Sequence, residues 1–236
     1  MRLPLLFLAL VVSFAVMAKP EPQVFKTGHY RLADGVVRHG LLCLVSDNEL
    51  LVKSPDSTQP KKYAAVAVKN FVMAADSFTV LRDFDVEVNG VVTRYPYSMV
   101  QVCVAGNALK VYRIEGPMDV LITQKDVLDK NILRGAASGA IGIATGMMAD
   151  KMNGVSPGNF KQQTLSLFLM QQTGGPLVTL QPKTRRALDV VKATIADDAE
   201  LSKSFRTMSS MTLTNESILN VLTHYHARAI IRQTKP

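Results

Sequence analysis

The sequence predicts an α+β protein: an antiparallel β-rich barrel or sandwich with a Gly-rich insertion and a C-terminal helical segment. Three observations carry this. Over residues 24–133 short apolar or β-branched runs alternate with turn residues, the cadence of a barrel or sandwich. At residue 135 the composition shifts to Gly, Ala, Ser and Met, and beyond Pro182 apolar residues recur at helical spacing.

Residues 1–18 read as a signal peptide. Arg2 precedes an apolar run over residues 3–16, and Val16-Met17-Ala18 supplies small residues before Lys19-Pro20. That order is a secretory leader, and the run is shorter than the ~20 apolar residues needed to span a bilayer. Cleavage near Ala18 is expected, which places the mature chain in the periplasm, at the cell surface or outside the cell. No cysteine follows the run for lipid attachment.

The β elements follow in order. Asp34-Gly35 separates residues 29–32 from 36–45, and Ser46-Asp47-Asn48 separates that run from Leu50-Leu51-Val52. Asn89-Gly90 lies between residues 85–88 and 91–94. This pair supplies the positive φ that both central positions of a type I′ hairpin turn require. Gly106-Asn107 joins residues 99–104 to 109–114, and Gly116-Pro117 is expected to end that strand. Residues 61–74 fit neither period. Residues 134–163 are assigned to the insertion or linker, and residues 164–182 to a hairpin turned by Gly174-Gly175-Pro176 that returns to the β domain. In that hairpin Leu165, Leu167 and Leu169 alternate as a strand with one apolar face.

Within the insertion, Gly135, Gly139, Gly142 and Gly146 fall on one stripe if the segment is helical. Each glycine costs a helix about 1 kcal/mol relative to Ala. The stripe therefore reads either as a helix packed closely on another surface, in a membrane or a homo-oligomer, or as a Gly-rich loop joining two halves. It lacks the Gly-Lys-Ser/Thr of a phosphate cradle.

Residues 183–232 are read as helical. Thr184 caps a helix carrying Leu188, Val191 and Ile195. Asp197 with Glu200 reads as a capping box for a second helix, and Thr214 caps a third with Ile218, Leu222, Tyr225 and Ala229 on one face. These faces need a partner, and the β domain is the nearest.

Residues 28–35 with Gly40-Leu41-Leu42, the hairpin over residues 98–112 and the stretch over residues 166–201 resemble a broad group of uncharacterised exported bacterial proteins. In that group a signal peptide precedes a β-rich region and a short helical C-terminus whose last helix carries a tyrosine, here Tyr225. The resemblance rests on turn and packing positions and implies no catalytic residues.

Chemistry is sparse. Cys43 and Cys103 lie in apolar runs, and in an oxidising compartment they would form either one disulfide or two buried thiols. Their spacing is not that of a zinc site. His29 and His39 share a face only if the Asp34-Gly35 turn sets the right register, whereas His224 and His226 are two apart and point to different sides of a helix. Surface or structural histidines are expected and no metal. Asp83, Asp85 and Glu87 alternate on one strand. Paired carboxylates perform glycosidic chemistry, but a solvated strand face accounts for these three. No Gly-x-Ser-x-Gly elbow occurs.

The net charge of +8 becomes +7 without residues 1–18, and the basic residues are scattered, with no tryptophan for base stacking. No nucleic-acid partner and no cofactor are expected. The reading is an exported, non-enzymatic interaction or structural protein of the cell envelope, with an unknown protein or envelope component as partner. Its alternatives are a membrane-associated homo-oligomer built on the glycine stripe and a small-molecule binder in a β barrel. Intact-mass measurement of exported material should give a chain that starts at Lys19, and a mass that includes residues 1–18 would refute the leader.

Overall fold

The computed structural model describes residues 23–54, 57, 59–122 and 159–234. Ten strands form one antiparallel sheet: β1 (Lys26–Leu32), β2 (Val37–Ser46), β3 (Glu49–Lys53), β4 (Lys61–Ala64), β5 (Val68–Met73), β6 (Asp76–Val88), β7 (Val91–Ala105), β8 (Leu109–Leu121), β9 (Phe160–Gln172) and β10 (Leu177–Leu180). Their order is β10-β9-β8-β7-β6-β5-β1-β2-β3-β4. Three helices follow, α1 (Arg185–Thr194), α2 (Ala199–Phe205) and α3 (Asn215–Thr234). The fold is thus α+β. β4 and β10 are sheet edges, and among the described residues no backbone ladder closes the sheet.

The turn chemistry explains most of the hairpins. Asn89 and Gly90 take φ of 50° and 81°, so the β6–β7 ribbon is joined by the turn that Asn-Gly favours. Residues 61–74, ambiguous by period, divide into β4, a 3-10 turn over Ala65–Ala67, and β5. Gly116-Pro117 does not end a strand: β8 runs through it, with Pro117 opposite Thr164 of β9. Proline is tolerated there because β7 pairs with β8 only as far as Arg113, which leaves this stretch paired on one side, where a missing N–H breaks no ladder.

Three cores result. The first gathers Tyr30, Leu42, Leu50, Val52, Phe71, Phe78 and Met99. The second holds Phe84, Val86, Val88, Val100, Tyr112, Ile114, Leu167 and Leu169. The third lies between the sheet and the helices, with Val104, Leu109, Val111, Phe168, Met170 and Leu180 facing Leu188, Val191, Ile195, Leu213, Ile218 and Leu222. β9 is buried on both faces at residues 167–170. A single apolar face was expected for it. The helices supply the second cover. Burying a side chain of leucine size contributes roughly 1.5–3 kcal/mol, which lets helices too short to persist alone form on the sheet.

The helix starts follow their caps. Thr184 Oγ1 accepts the Ala187 N–H at 3.2 Å. Thr214 and Ser217 cap reciprocally, each hydroxyl accepting the other residue's N–H. The second cap is Asp198, one residue past the expected Asp197: its Oδ1 accepts the Leu201 N–H at 3.1 Å. Arg228 of α3 holds the same carboxylate, its Nε donating to Asp198 Oδ2 at 2.7 Å. The buried carboxylate thereby serves two helices.

Helix α3 also meets the β7–β8 turn. A Cβ on Gly106 would collide with the His226 ring, so that ring lies against bare backbone. Gly106→Ala should lower stability by about 1–3 kcal/mol through overpacking. Adding His226→Ala to the same chain should restore most of the loss in denaturant melts, and an unchanged midpoint for Gly106→Ala alone would show that the contact is loose.

Candidate functional site

The β2–β3 turn builds the most chemically varied surface of the described chain. Ser46 Oγ accepts the Asn48 N–H at 3.2 Å, which fixes the turn locally. Two backbone bonds then clamp it from outside: the Asp47 carbonyl accepts the Met99 N–H at 2.5 Å, and the Asn48 carbonyl accepts the Ala65 N–H at 3.0 Å. A turn read from the sequence as a simple reversal is therefore wedged against β7.

Beside it lies a cleft of about 700 Å³. Leu44, Met73, Phe78 and Met99 give it an apolar lining, and Lys26, Asp47, Asp76, Gln101, Arg113 and Glu115 give it polar groups. Apolar walls with a few convergent polar groups are the general form of a ligand site. Two β-bulges shape it. The β2–β3 register slips at Val45, which lines the cleft, and the β7–β8 register slips at Cys103, two residues beyond Gln101. Bulges re-aim side chains in this way.

Most of the polar groups hold one another. Gln101 Nε2 donates to Asp76 Oδ1 at 2.9 Å. Arg113 donates from Nε to Ser166 Oγ at 2.8 Å and from a terminal nitrogen to Glu115 Oε2 at 2.9 Å. Asp47 differs. Apart from its own backbone N–H, its carboxylate receives a long bond from the buried Ser98 hydroxyl, 3.4 Å, and among the described residues no cation pairs with it. Burial pushes the Asp47 carboxyl above its usual range, against the lowering effect of Ser98. The nearby Tyr95 phenol is also raised, first by burial and then by the charges of Asp47 and Asp119.

The residues singled out in the sequence lie elsewhere or at the margin. Cys43 in β2 and Cys103 in β7 are free thiols. Burial raises both: Cys43 against the Val24 backbone, Cys103 with Arg113 pulling down and Asp76 pushing up. A thiol shifted upward is a poor nucleophile near neutral pH. Asp83 and Asp85 face Arg94 at 3.7 and 3.6 Å, and Glu87 pairs with Arg186. They are thus a charge-compensated strand face. His29 and His39 come together, whereas His224 is exposed on α3 and His226 sits on Gly106. Gly135, Gly139, Gly142 and Gly146 lie outside the described residues. Asp47 and Ser98 were not singled out from the sequence, although a serine within the apolar β7 run and an aspartate between Ser46 and Asn48 were visible there.

Among the described residues no group of three His, Cys, Asp or Glu is placed to hold a metal, and no helix is long and apolar enough to cross a membrane. Comparison with protein-family models, curated proteins and solved structures found no match.

Because its carboxyl is raised on folding, ionised Asp47 costs stability. The cost is absent below the ordinary carboxylate range, near pH ~4, and sets in as the pH rises through the raised value. Asp47→Asn should accordingly exceed the parent in stability at pH 7, and the two should converge as the pH falls toward ~4. Parallel melting curves at both pH values would contradict this.

Proposed function

We infer that the chain is an exported, non-catalytic binding module of the cell envelope that takes a cationic group of its partner into the cleft beside the β2–β3 turn. One observation carries the reading: Asp47 is a half-buried carboxylate whose only side-chain hydrogen-bond partner among the described residues is Ser98, while Asp76, Arg113 and Glu115 around it are already paired. A carboxylate desolvated in this way gains most from an amine or guanidinium. The leader over residues 1–18 and the resemblance to exported bacterial proteins support the location. The partner is a protein or other envelope component that presents such a group, and the scattered net charge of +7 supports loose attraction to anionic surfaces.

On this reading the curl of β6 to β10 acts as a small barrel completed by side chains. The Glu87 N–H donates to Thr179 Oγ1 at 3.1 Å, and Asn89 exchanges two hydrogen bonds with Gln181, at 3.0 and 2.7 Å. Val86, Tyr112, Ile114 and Leu169 fill its interior. That packing favours the cleft over a lumen as the binding place.

Washed envelopes from cells that express the full chain provide the test. The parent should be envelope-bound and should leave with carbonate at the mass expected for cleavage near Ala18. Asp47→Lys, and more mildly Asp47→Asn, should lose about tenfold or more in the bound share, as expected when one partner of a buried charge pair is removed. Equal binding by folded Asp47 variants would overturn the cleft as the site. Retention through carbonate would favour the glycine stripe at Gly135 to Gly146 instead.

A further inference from the structure

The β1–β2 hairpin brings together two groups that the sequence separates by ten positions. Asp34 at its turn accepts the Val36 N–H at 3.0 Å and binds Arg38 through both carboxylate oxygens, at 3.0 and 2.5 Å. This latch sets the register in which His29 stands directly opposite His39. Both are exposed, and their ring centroids are 5.8 Å apart with the planes tilted by 50°.

The backbone beneath them is held firmly. β1 lies inside the sheet, between β2 and β5. On one side of His29, the Gly28–Gly40 rung is packed so closely that a Cβ on Gly28 would strike the Val72 carbonyl oxygen. On the other side, Tyr30 is buried in the first core. Side chains carried by paired strands are positioned better than those on loops. The neighbouring β1–β2 rungs on the same face carry Thr27 with Leu41 and Arg31 with Val37, so among the described residues these rungs put no carboxylate beside the imidazoles.

We propose that His29 and His39 form a two-histidine binding site for a divalent transition-metal ion, with water in the remaining positions. The geometry supports it. A metal bonded to one nitrogen of each ring at about 2.0–2.1 Å lies roughly 3 Å from each ring centroid, so the centroids must stand roughly 5–6 Å apart. The observed separation meets this requirement with a small rotation of either ring. Imidazole selects zinc, copper and nickel over magnesium and calcium. With two protein ligands the site is open and exchangeable, suited to capturing or handing over an ion at the protein surface.

The probe is Zn²⁺ alone, titrated into the untagged full chain while the imidazole signals are followed by long-range ¹H–¹⁵N NMR. The His29 and His39 signals should move together to a 1:1 endpoint, with His224 and His226 unmoved. His29→Ala and His39→Ala should each weaken binding at least tenfold, and His224→Ala should leave it unchanged. Both substitutions are on the exposed face, so melting curves without zinc should match the parent. Unmoved His29 and His39 signals at saturating zinc would overturn the proposal, as would equal affinity in either variant.

Discussion

Phe78 and Val80 pack in the first core and Leu81 against the second, yet beyond Asp83 it is the even residues Phe84, Val86 and Val88 that fill the second. A regular strand cannot do this, because alternation sends residues of one parity to one face. The change falls at Asp83, which takes φ of 48° across from Pro96, while the pairing on either side keeps one register. The β6–β7 ribbon therefore serves both β cores without being cut. A second change falls at the Cys103 bulge, after which Val104 turns to the helices while Val102 packs with the second core. One ribbon thus reaches three cores. The cleft opens beside it, and the Asp47 turn is seated on Met99 and Ser98 between these two breaks.

Charge reinforces this arrangement from outside. Arg186 of α1 reaches Glu87 on the ribbon, and Arg228 and Arg232 of α3 converge on Asp197 and Asp198. The exposed pairs contribute little individually. Asp198 is different, because it is buried and caps α2 at the same time. The Leu201 N–H first, and Arg228 after it, hold its carboxyl below the usual range. Its contribution to stability is present above the ordinary carboxylate range and fades as the pH falls through the lowered value, so the helical tail loses this anchor in acid.

Local chemistry was legible in the sequence, and long-range consequences were not. Asn89-Gly90, Gly106-Asn107, Thr184 and Thr214 each act through neighbours a few residues away, and each takes the role its residue type suggests. Gly116-Pro117 misled because its tolerance depends on where β7 stops pairing with β8, a fact of topology. The second role of Asp198, as partner of Arg228 thirty residues away, is likewise a fact of the fold. The cleft was hidden for the same reason: Asp47, Asp76 and Arg113 sit in separate hairpins and meet only after the sheet curls. For His29 and His39 the sequence supplied the condition and left it open, and only the register met it.

The two ends of the sheet are finished differently, and this has a mechanical side. β4 presents Lys61 and Lys62 at its edge, the usual guard against a foreign strand. β10 instead lies along the open edge of β6, held by Thr179 and Gln181 rather than by a backbone ladder. Such a seam behaves like a row of snap fasteners. It can part a few side-chain bonds at a time while every strand keeps its partners, so the wall formed by β9 and β10 can yield to a load without unravelling the sheet.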